Sequence, residues 1–271
     1  MNAQHQYSLT GSVAEMYEQN MVPAIFARFA KGLLEFAQLH AGEHVLDVAC
    51  GTGIVARLAW PQVAPSGRVV GLDVNAAMLD VARRAGERAR APIEWQEGDA
   101  ASLPIADGTF DIVLCQHGLQ YFPERHTALT EMHRVLRPSG RIVLSVLRPV
   151  QYNPSHAVFA DVLERHVSAA AAATRRAPFT LSDRDEIRAL GAGAAFHDVV
   201  VQLDVRVVRF PSAEAMVRIM MAGTPLAVAM AEADPAVLQT VIAEVTTGLS
   251  AYEDDQGLAL PMQAWVVTAK A

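Results

Sequence analysis

The chain has 271 residues, enough for one large domain, and 52% of them are hydrophobic. Its formal net charge of -7 lacks the basic excess typical of nucleic-acid-binding proteins, so we expect a small-molecule partner and no nucleic acid. No apolar run reaches the roughly 20 residues that span a bilayer, and the polar start is unlike a secretory signal. We therefore expect a cytoplasmic protein with no membrane segment. Two cysteines without metal-ligand spacing predict no disulfide scaffold and no metal site.

Residues 1–40 precede the first predicted strand. They start polar with scattered aromatics, and Pro23 then suits the first turn of an amphipathic helix. The apolar stripe of this helix consists of Ile25, Phe26, Phe29, Leu33, Leu34 and Phe36. The pattern predicts a helical segment in front of the sheet.

A buried strand that runs into a glycine turn follows at residues 44–53, HVLDVACGTG. The apolar run over 45–48 is typical of a strand covered on both faces. Gly51 and Gly53 allow the backbone to turn sharply and to approach a ligand closely. Because residues 54–60 have a helical pattern, the turn would present the ligand to a helix N-terminus at the carboxyl end of a strand.

This turn fits two classes of cofactor. Gly51, Gly53 and Ala56, with Asp73 about 20 residues further on, satisfy the dinucleotide fingerprint. Asp47 separates the two classes, because a buried carboxylate before the turn would repel a diphosphate and attract a ligand that carries ammonium and sulfonium groups. The sequence therefore favours a cationic cofactor. The alternative is that Asp47 only accepts hydrogen bonds from loop amides.

The alternation of strands and helices continues to residue 146. Strands are predicted at 67–74, 93–97, 110–114 and 141–146, with helices at 76–90 and after Pro123. The loop 116–122 leaves the carboxyl end of the fourth strand beside the glycine turn. We expect the chemistry of the protein in that loop.

The pattern changes after Arg148. Helices are predicted at about 155–171, 183–190, 212–222, 224–232 and 235–250, and strands at 198–208 and 265–269 form an antiparallel pair. The later helices would either roof the active site or form a homodimer contact. The methionines Met216, Met220, Met221 and Met230 suit an apolar pocket, although core filling is the default interpretation.

Five motifs in this order, DVACGTG, GLDVN, GDAASLP, FDIVLCQ and LRPSGR, resemble those of class I S-adenosylmethionine-dependent methyltransferases. The resemblance is strong over about residues 40–147. It implies a single α/β domain with a Rossmann-like, doubly wound, mostly parallel seven-stranded sheet that has an antiparallel edge strand. Residues 1–40 would form an N-terminal helical lid, 41–147 the cofactor-binding core, and 148–271 the substrate-side helices, including a helical insertion near the C-terminus, and edge strands.

The resemblance also implies a site for S-adenosyl-L-methionine. Asp73 would accept both ribose hydroxyls, unless it caps the following helix. Asp99 would accept the adenine amine while the Ala100 amide donates to the ring, unless Asp99 forms an Asx turn. Met78 would cover the adenine or pack in the core. The full predicted set is Tyr17, Asp47, Ala49, Cys50, Gly51, Gly53, Asp73, Val74, Met78, Asp99, Ala100, Cys115, Gln116 and Gln120.

Some members of this set carry further expectations. Tyr17, with Tyr7 and Phe26, would belong to the lid, although Phe26 also lies on the apolar stripe. Cys50 and Cys115 fall at the ends of neighbouring strands and would line one crevice, with small-residue packing as the favoured role over redox chemistry.

The expected reaction is methyl transfer to an O or N atom of a small organic acceptor. Such a displacement depends mainly on alignment and exclusion of water. His117 is the best-placed group to remove an acceptor proton, and its alternative role is to cap the next helix. Two other functions stay open at this point: an NAD(P)-dependent oxidoreductase and a noncatalytic protein that binds S-adenosylmethionine.

Overall fold

A computed structural model describes residues 11–222 and 235–271. In this part of the chain an eight-stranded, mostly parallel sheet is covered by helices, and the fold class predicted from the sequence is confirmed. Tyr7, Met230 and the predicted helix 224–232 lie outside the described residues. Within these residues, every helix is too short or too polar to cross a membrane.

The strand order is β3-β2-β1-β4-β5-β8-β6, and the short strand β7 pairs with β8 beside this path. The strands β1 to β5 are parallel, whereas β8 runs antiparallel to both β5 and β6 and lies one place in from the edge. The two-residue β7 is the strand that the sequence did not predict. The bounds are β1 His44–Val48, β2 Arg68–Asp73, β3 Glu94–Glu97, β4 Phe110–Gln116, β5 Leu136–Leu147, β6 His197–Phe210, β7 Glu253–Asp254 and β8 Gly257–Lys270.

The helices cover the sheet and extend beyond its carboxyl end. Their bounds are α1 Gly11–Met16, a π-helical segment Tyr17–Phe26, α2 Ala27–Ala37, α3 Ile54–Val63, α4 Ala76–Ala89, α5 Arg125–Arg134, α6 Pro154–His166, α7 Ala169–Arg176, α8 Arg184–Gly193, α9 Ala213–Ala222 and α10 Pro235–Leu249.

Two helix predictions need correction. The N-terminal helix does not begin at Pro23. It begins at Gly11 and is continuous to Ala37, and Pro23 lies inside the π-helical segment, where the wider turn accommodates the missing N–H. The predicted helix 155–171 is two helices, because the Ser168 side chain accepts a hydrogen bond from the Ala171 amide and starts α7 anew.

Apolar side chains form separate clusters around the sheet. One cluster packs α2 and α3 against β1, β2 and β4, and another packs α5 and α8 against the central and antiparallel strands. A third joins α6, α7, α9 and α10 with the carboxyl end of β6 and with β8. Met216 and Met220 are fully buried in this third cluster, so core filling is confirmed for both. The helices α6, α7, α9 and α10 of this third cluster form a cap beside the carboxyl ends of β1 and β4.

Candidate active site

A cavity of about 700 Å³ lies at the carboxyl ends of β1, β2 and β4. Its walls come from the π-helical segment, the turn after β1, the end of β2, the loop after β4, and the cap helices α6 and α7. All predicted site residues except Gly53 and Cys115 line it: Tyr17, Asp47, Ala49, Cys50, Gly51, Asp73, Val74, Met78, Asp99, Ala100, Gln116, His117 and Gln120. The motifs thus converge on one cavity, while the ligand role of each residue stays a prediction.

The turn after β1 is built from left-handed backbone conformations. Ala49, Gly51 and Gly53 have φ angles of 56°, 56° and 82°, a region that glycine enters without strain. Gly53 stands behind the cavity wall, where a Cβ atom would lie 2.2 Å from the Trp95 ring. Close packing and turn geometry, without cavity contact, therefore account for Gly53.

Asp73 ties the glycine turn to the end of β2. Its Oδ2 accepts from the Gly51 amide at 2.8 Å and its Oδ1 from the Asn75 amide at 2.9 Å. The cap of α4 is Asn75, whose side chain accepts from the amides of Ala77 and Met78, so the capping alternative for Asp73 is wrong. Burial raises the pKa of Asp73, and each carboxylate oxygen retains a lone pair for a further donor such as a hydroxyl.

Asp47 is a buried carboxylate, 1% exposed, at the end of β1. Its Oδ2 accepts from the Ala56 amide in the first turn of α3 at 3.0 Å. Burial raises the pKa of Asp47 to about 8, and the charge of Asp73 adds to the increase. Asp47 forms no ion pair with a Lys, Arg or His of residues 11–222 and 235–271. A cationic ligand in the cavity fits this carboxylate, because it would supply the missing countercharge.

The loop after β3 combines two of the expected roles. Asp99 Oδ1 accepts from the Ala101 amide at 2.9 Å, as in an Asx turn, and Asp99 also borders the cavity. Met78 both lines the cavity and packs in a small cluster with Ala14 and Val81. The structural and ligand-binding interpretations of these two residues are therefore compatible.

His117 is a buried histidine, 7% exposed, in the loop after β4. Its Nδ1 lies 3.3 Å from Ser145 Oγ, and its ring packs edge-on against Phe29 at 4.9 Å between centroids. Its Nε2 is buried without a hydrogen-bond partner in the described protein. Burial lowers the pKa of His117 to about 4, so the imidazole is neutral at pH 7. Helix α5 starts after Glu124, so His117 does not cap it.

Other buried polar atoms that border the cavity also have no partner among the described residues. They are Thr52 Oγ1, Gln116 Oε1 and both side-chain amide atoms of Gln120. The Gln116 Nε2 donates to the Phe26 carbonyl at 3.2 Å. Because buried polar groups in proteins are almost always paired, this set indicates a site that binds a polar ligand.

The two cysteines are placed differently. Cys50 borders the cavity, whereas Cys115 is fully buried behind Gly118, where a Cβ atom would lie 2.8 Å from the Cys115 sulfur. The expectation that both thiols line one crevice is therefore wrong for Cys115. Burial raises the pKa of Cys50 and raises that of Cys115 to about 12, which suits packing and not thiolate chemistry. The described residues contain no cluster of three metal-ligating side chains.

The N-terminal helix lies against the cavity. Tyr17, Met21, Ile25 and Phe26 contribute to the lining, and the Tyr17 and Phe26 rings stack at 5.0 Å. The Glu18 Oε1 accepts from Arg57 Nη1 at 2.7 Å, and both side chains are at most 15% exposed. This ion pair connects the helix to α3, directly after the glycine turn.

The sequence comparison identifies the family of this core. Residues 46–144 match the family model described as "Methyltransferase domain". These residues are a class I S-adenosylmethionine-dependent methyltransferase domain. The match decides between the two cofactor classes that the glycine turn left open, in favour of S-adenosylmethionine.

Curated relatives of the methyltransferase domain are named after quinone substrates. The chain is 38% identical over 145 residues to a demethylmenaquinone methyltransferase of Symbiobacterium thermophilum, which covers 52% of this chain and 58% of the relative. It is 41% identical over 139 residues to a 2-phytyl-1,4-naphtoquinone methyltransferase of Synechococcus elongatus, which covers 49% of this chain and 58% of the relative. The chain thus spans about half the length of these relatives.

Solved structures share the fold over more of the chain. YcgJ from Bacillus subtilis superposes with a TM-score of 0.61 at 19% identity, covering 89% of this chain and 97% of that protein. Phosphoethanolamine N-methyltransferase 2 of Haemonchus contortus, solved with S-adenosyl-L-methionine, gives 0.63 at 15% identity, covering 100% of this chain and 60% of that chain. At these identities the likeness concerns the fold alone.

Several cavity residues outside the methyltransferase domain had not been singled out in the sequence. His156, Thr174, Arg175 and Pro178 reach the cavity from the cap. Arg175 is 5% exposed and its Nη1 donates to the Met220 carbonyl at 3.3 Å. Arg175 follows an alanine run and is next to another arginine, a pattern typical of an exposed helix end, so its burial had no sequence signal.

Proposed function

We propose that this chain transfers the methyl group of S-adenosylmethionine to an O or N atom of a small organic acceptor. The observation that carries the proposal is the shared cavity: residues of the methyltransferase domain form one side and the cap and N-terminal helix form the other. A volume of about 700 Å³ lies within the range, roughly 300–1,000 Å³, of sites for small ligands and cofactors.

The cofactor would be held by the strand-end carboxylates. Asp47 offers a countercharge to the sulfonium and ammonium groups, and Asp73 offers acceptors to the ribose hydroxyls. Asp99 and Ala100 lie in the loop after β3 and line the cavity, where they would contact the adenine. S-adenosylmethionine supplies an activated methyl group on a neutral leaving group. The residues of this chain would therefore align the acceptor atom with the methyl group and exclude water from the cavity.

His117 is the proposed base for this reaction. Its neutral imidazole at pH 7 can accept a proton, and its Nε2, which has no hydrogen-bond partner in the described part of the chain, is buried at the cavity. Because its pKa of about 4 makes it a weak base in the empty cavity, it would take the acceptor proton as positive charge develops on the attacking O or N atom of the acceptor during methyl transfer. An acceptor that already carries a free lone pair would not need it.

The acceptor side of the cavity favours a flat apolar molecule with a polar substituent. Met21, Ile25, Phe26, Leu147 and Met262 contribute apolar surface, and Gln120 contributes a side-chain amide that has no hydrogen-bond partner among the described residues. The names of the relatives support a quinone-type acceptor. We therefore expect the apolar lining to bind the ring of the acceptor, and the polar loop after β4 to orient its hydroxyl or amine group.

The test uses S-adenosylmethionine with an isotope-labelled methyl group and a panel of reduced naphthoquinones, catechols and aryl amines. Mass spectrometry should detect labelled product with at least one acceptor, and the Asp47→Ala variant should lose it. In thermal melts, S-adenosylhomocysteine should stabilise the chain by about 2.7 kcal/mol at a hundredfold excess over its Kd, while NAD(P) should not. Stabilisation without transfer to any acceptor would support the noncatalytic alternative instead.

A further inference from the structure

The strongest unexplained surface lies far along the sheet from the cavity. Six large apolar side chains of the described residues are exposed, and four of them, Val200, Leu203, Val205 and Val207, belong to β6. Leu203, Val205 and Val207 alternate along the strand, which places them on one face, and each is 46–49% exposed. An apolar ridge of this kind on a soluble sheet is typical of an interaction surface.

β6 is also the last strand of the sheet. It has 14 residues and pairs with β8 on one side, and in the described part of the chain no strand pairs with its other side. Natural proteins protect such edges with Pro, Lys, bulges or short length. Residues 202–208, QLDVRVV, contain neither Pro nor Lys, and the β-bulge of this strand lies before them, between His197 and Val200. As far as residues 11–222 and 235–271 show, the centre of the edge is open to another strand.

The residues around Val205 are complementary to themselves. If two copies of β6 pair antiparallel about Val205, each Leu203 faces Val207 of the other copy on the exposed face, and Val205 faces Val205. On the opposite face each Asp204 then faces Arg206 of the other copy. A centre at Leu203 or Val207 would match neither Asp204 nor Arg206 with an opposite charge, and a centre at Arg206 would oppose two arginines.

Asp204 gives an independent reason for this register. Its side chain is buried, and its Oδ1 accepts from Arg206 Nε of the same chain at 2.7 Å. Its Oδ2 is buried with no hydrogen-bond partner among the described residues. A buried carboxylate oxygen without a donor is costly. Arg206 already donates through Nε to Asp204 of its own chain and through Nη2 to Glu35 at 2.7 Å. In this register a remaining N–H group of Arg206 of the second copy would lie opposite and would be the donor that the described residues do not supply.

We propose that β6 is the interface of a homodimer in which residues 202–208 of two copies pair antiparallel about a two-fold axis at Val205. The pairing places the two apolar ridges side by side, so that their side chains contact across the strands, satisfies the open edge and forms two reciprocal Asp204–Arg206 contacts. A second copy of this chain is the occupant, because self-complementarity about a single residue is what a two-fold axis requires and what an unrelated partner would not need. The two cavities stay outside the interface.

A disulfide tests the register directly. Opposite Cα atoms in an antiparallel pair lie about 4.5–5.5 Å apart, within the roughly 4.4–6.8 Å range of disulfides. A Val205→Cys chain should therefore link to itself under mild oxidation at low micromolar concentration. Val200→Cys is the matched control, since Val200 is 46% exposed on the same strand but does not face itself. The native Cys50 and Cys115 are buried in both variants.

A charge on the ridge tests the interface without cross-linking. In sedimentation equilibrium the wild-type chain should have twice the monomer mass, and Val205→Lys should raise the dimer Kd by about tenfold or more, because a lysine at the centre of an edge opposes pairing. Val200→Lys should leave the Kd unchanged, and thermal melts should show that both variants are folded. A monomeric wild type, equal linking of the two cysteine variants, or an unchanged Kd for Val205→Lys would each overturn the proposal.

Discussion

The two sides of the cavity hold their polar groups in different ways. On the sheet side, backbone amides fix the carboxylates at the strand ends: the Gly51 and Asn75 amides donate to Asp73, and the Ala56 amide of α3 donates to Asp47. On the cap side, packed helices carry the polar side chains, with His156 beside Ser155 and Arg175 against the Met220 carbonyl. The positions of the polar groups at the strand ends depend on a short local sequence, whereas the positions of those in the cap depend on how four helices pack.

This difference matches the part of the chain that aligns with known proteins. The family match covers residues 46–144, the sheet side, and about half of this chain aligns with the quinone methyltransferases. A cap that is separate in sequence can change its side chains without moving the turn that would hold the cofactor. We therefore expect variants on the sheet side to change cofactor binding and variants on the cap side to change the choice of acceptor.

His117, where the two sides meet, gives the largest expected effect. It follows β4 but packs against Phe29 of the N-terminal helix. We expect His117→Ala to lower kcat by about a hundredfold, since general base catalysis contributes roughly that much or more, while the Kd of S-adenosylhomocysteine stays the same. Single-turnover and steady-state kinetics with saturating acceptor measure it.

The pH profile adds a second readout for His117. Because its pKa is lowered to about 4, the neutral form persists above pH 5, and kcat should show no histidine limb between pH 6 and 8. His40→Ala is the control, since its side chain is exposed. Unchanged turnover in His117→Ala would remove this residue from the mechanism.

Asp73→Ala tests the sheet side alone. The substitution removes two charged hydrogen bonds to the amides of Gly51 and Asn75, together with the proposed acceptors for the ribose. A loss of about 2 kcal/mol, or roughly thirtyfold in the Kd of S-adenosylhomocysteine, follows from the usual strength of such bonds. Calorimetry measures it, with Asp80→Ala on the exposed face of α4 as the control. An equal Kd would contradict the assignment.

The same contrast explains what the sequence could and could not predict. The positions of Asp47, Gly51 and Asp73 at the cavity could be predicted because each lies at or just after the end of a predicted strand, whereas their ligand roles stay predictions. Cys115 was misplaced because adjacent strand residues point to opposite faces, so the end of a strand does not reveal which side chain faces the cavity. The positions of His156 and Arg175 depend on the tertiary packing of α6 and α7, which no local pattern encodes.

The raised pKa of Asp47 predicts how the stability of the chain without a ligand changes with pH. Its folded pKa of about 8 lies above the ordinary value of 3.8, so the folded chain retains a proton that the unfolded chain has lost. Stability from this group is present below pH 3.8 and is lost as pH rises to about 8.

Between pH 6.5 and 8 the lowered pKa values of His117 and His156 act in the opposite direction, because both histidines bind fewer protons in the folded chain than in the unfolded chain, and this contribution fades as pH rises above the ordinary value of 6.5. In that interval the free energy of unfolding of the wild type, measured relative to that of Asp47→Asn, should fall with pH by up to about 1.4 kcal/mol per unit, because the histidine contribution is common to both chains. Urea titrations at three pH values measure it. S-adenosylmethionine should reverse the trend, because its cation favours the ionised carboxylate. Identical slopes for wild type and Asp47→Asn would show that Asp47 is ionised without a ligand.

The smallest effect concerns the connection between the N-terminal helix and the glycine turn. Arg57→Met removes the ion pair with Glu18, which is shielded from water and therefore worth more than a surface pair. If the helix closes over the cofactor, S-adenosylhomocysteine should dissociate about fivefold faster in stopped-flow measurements, for a loss of about 1 kcal/mol. Arg84→Met is the matched control, because its pair with Glu15 joins the same helix to α4 but is half exposed. Equal dissociation rates in both variants would mean that the helix lines the cavity without restraining its ligand.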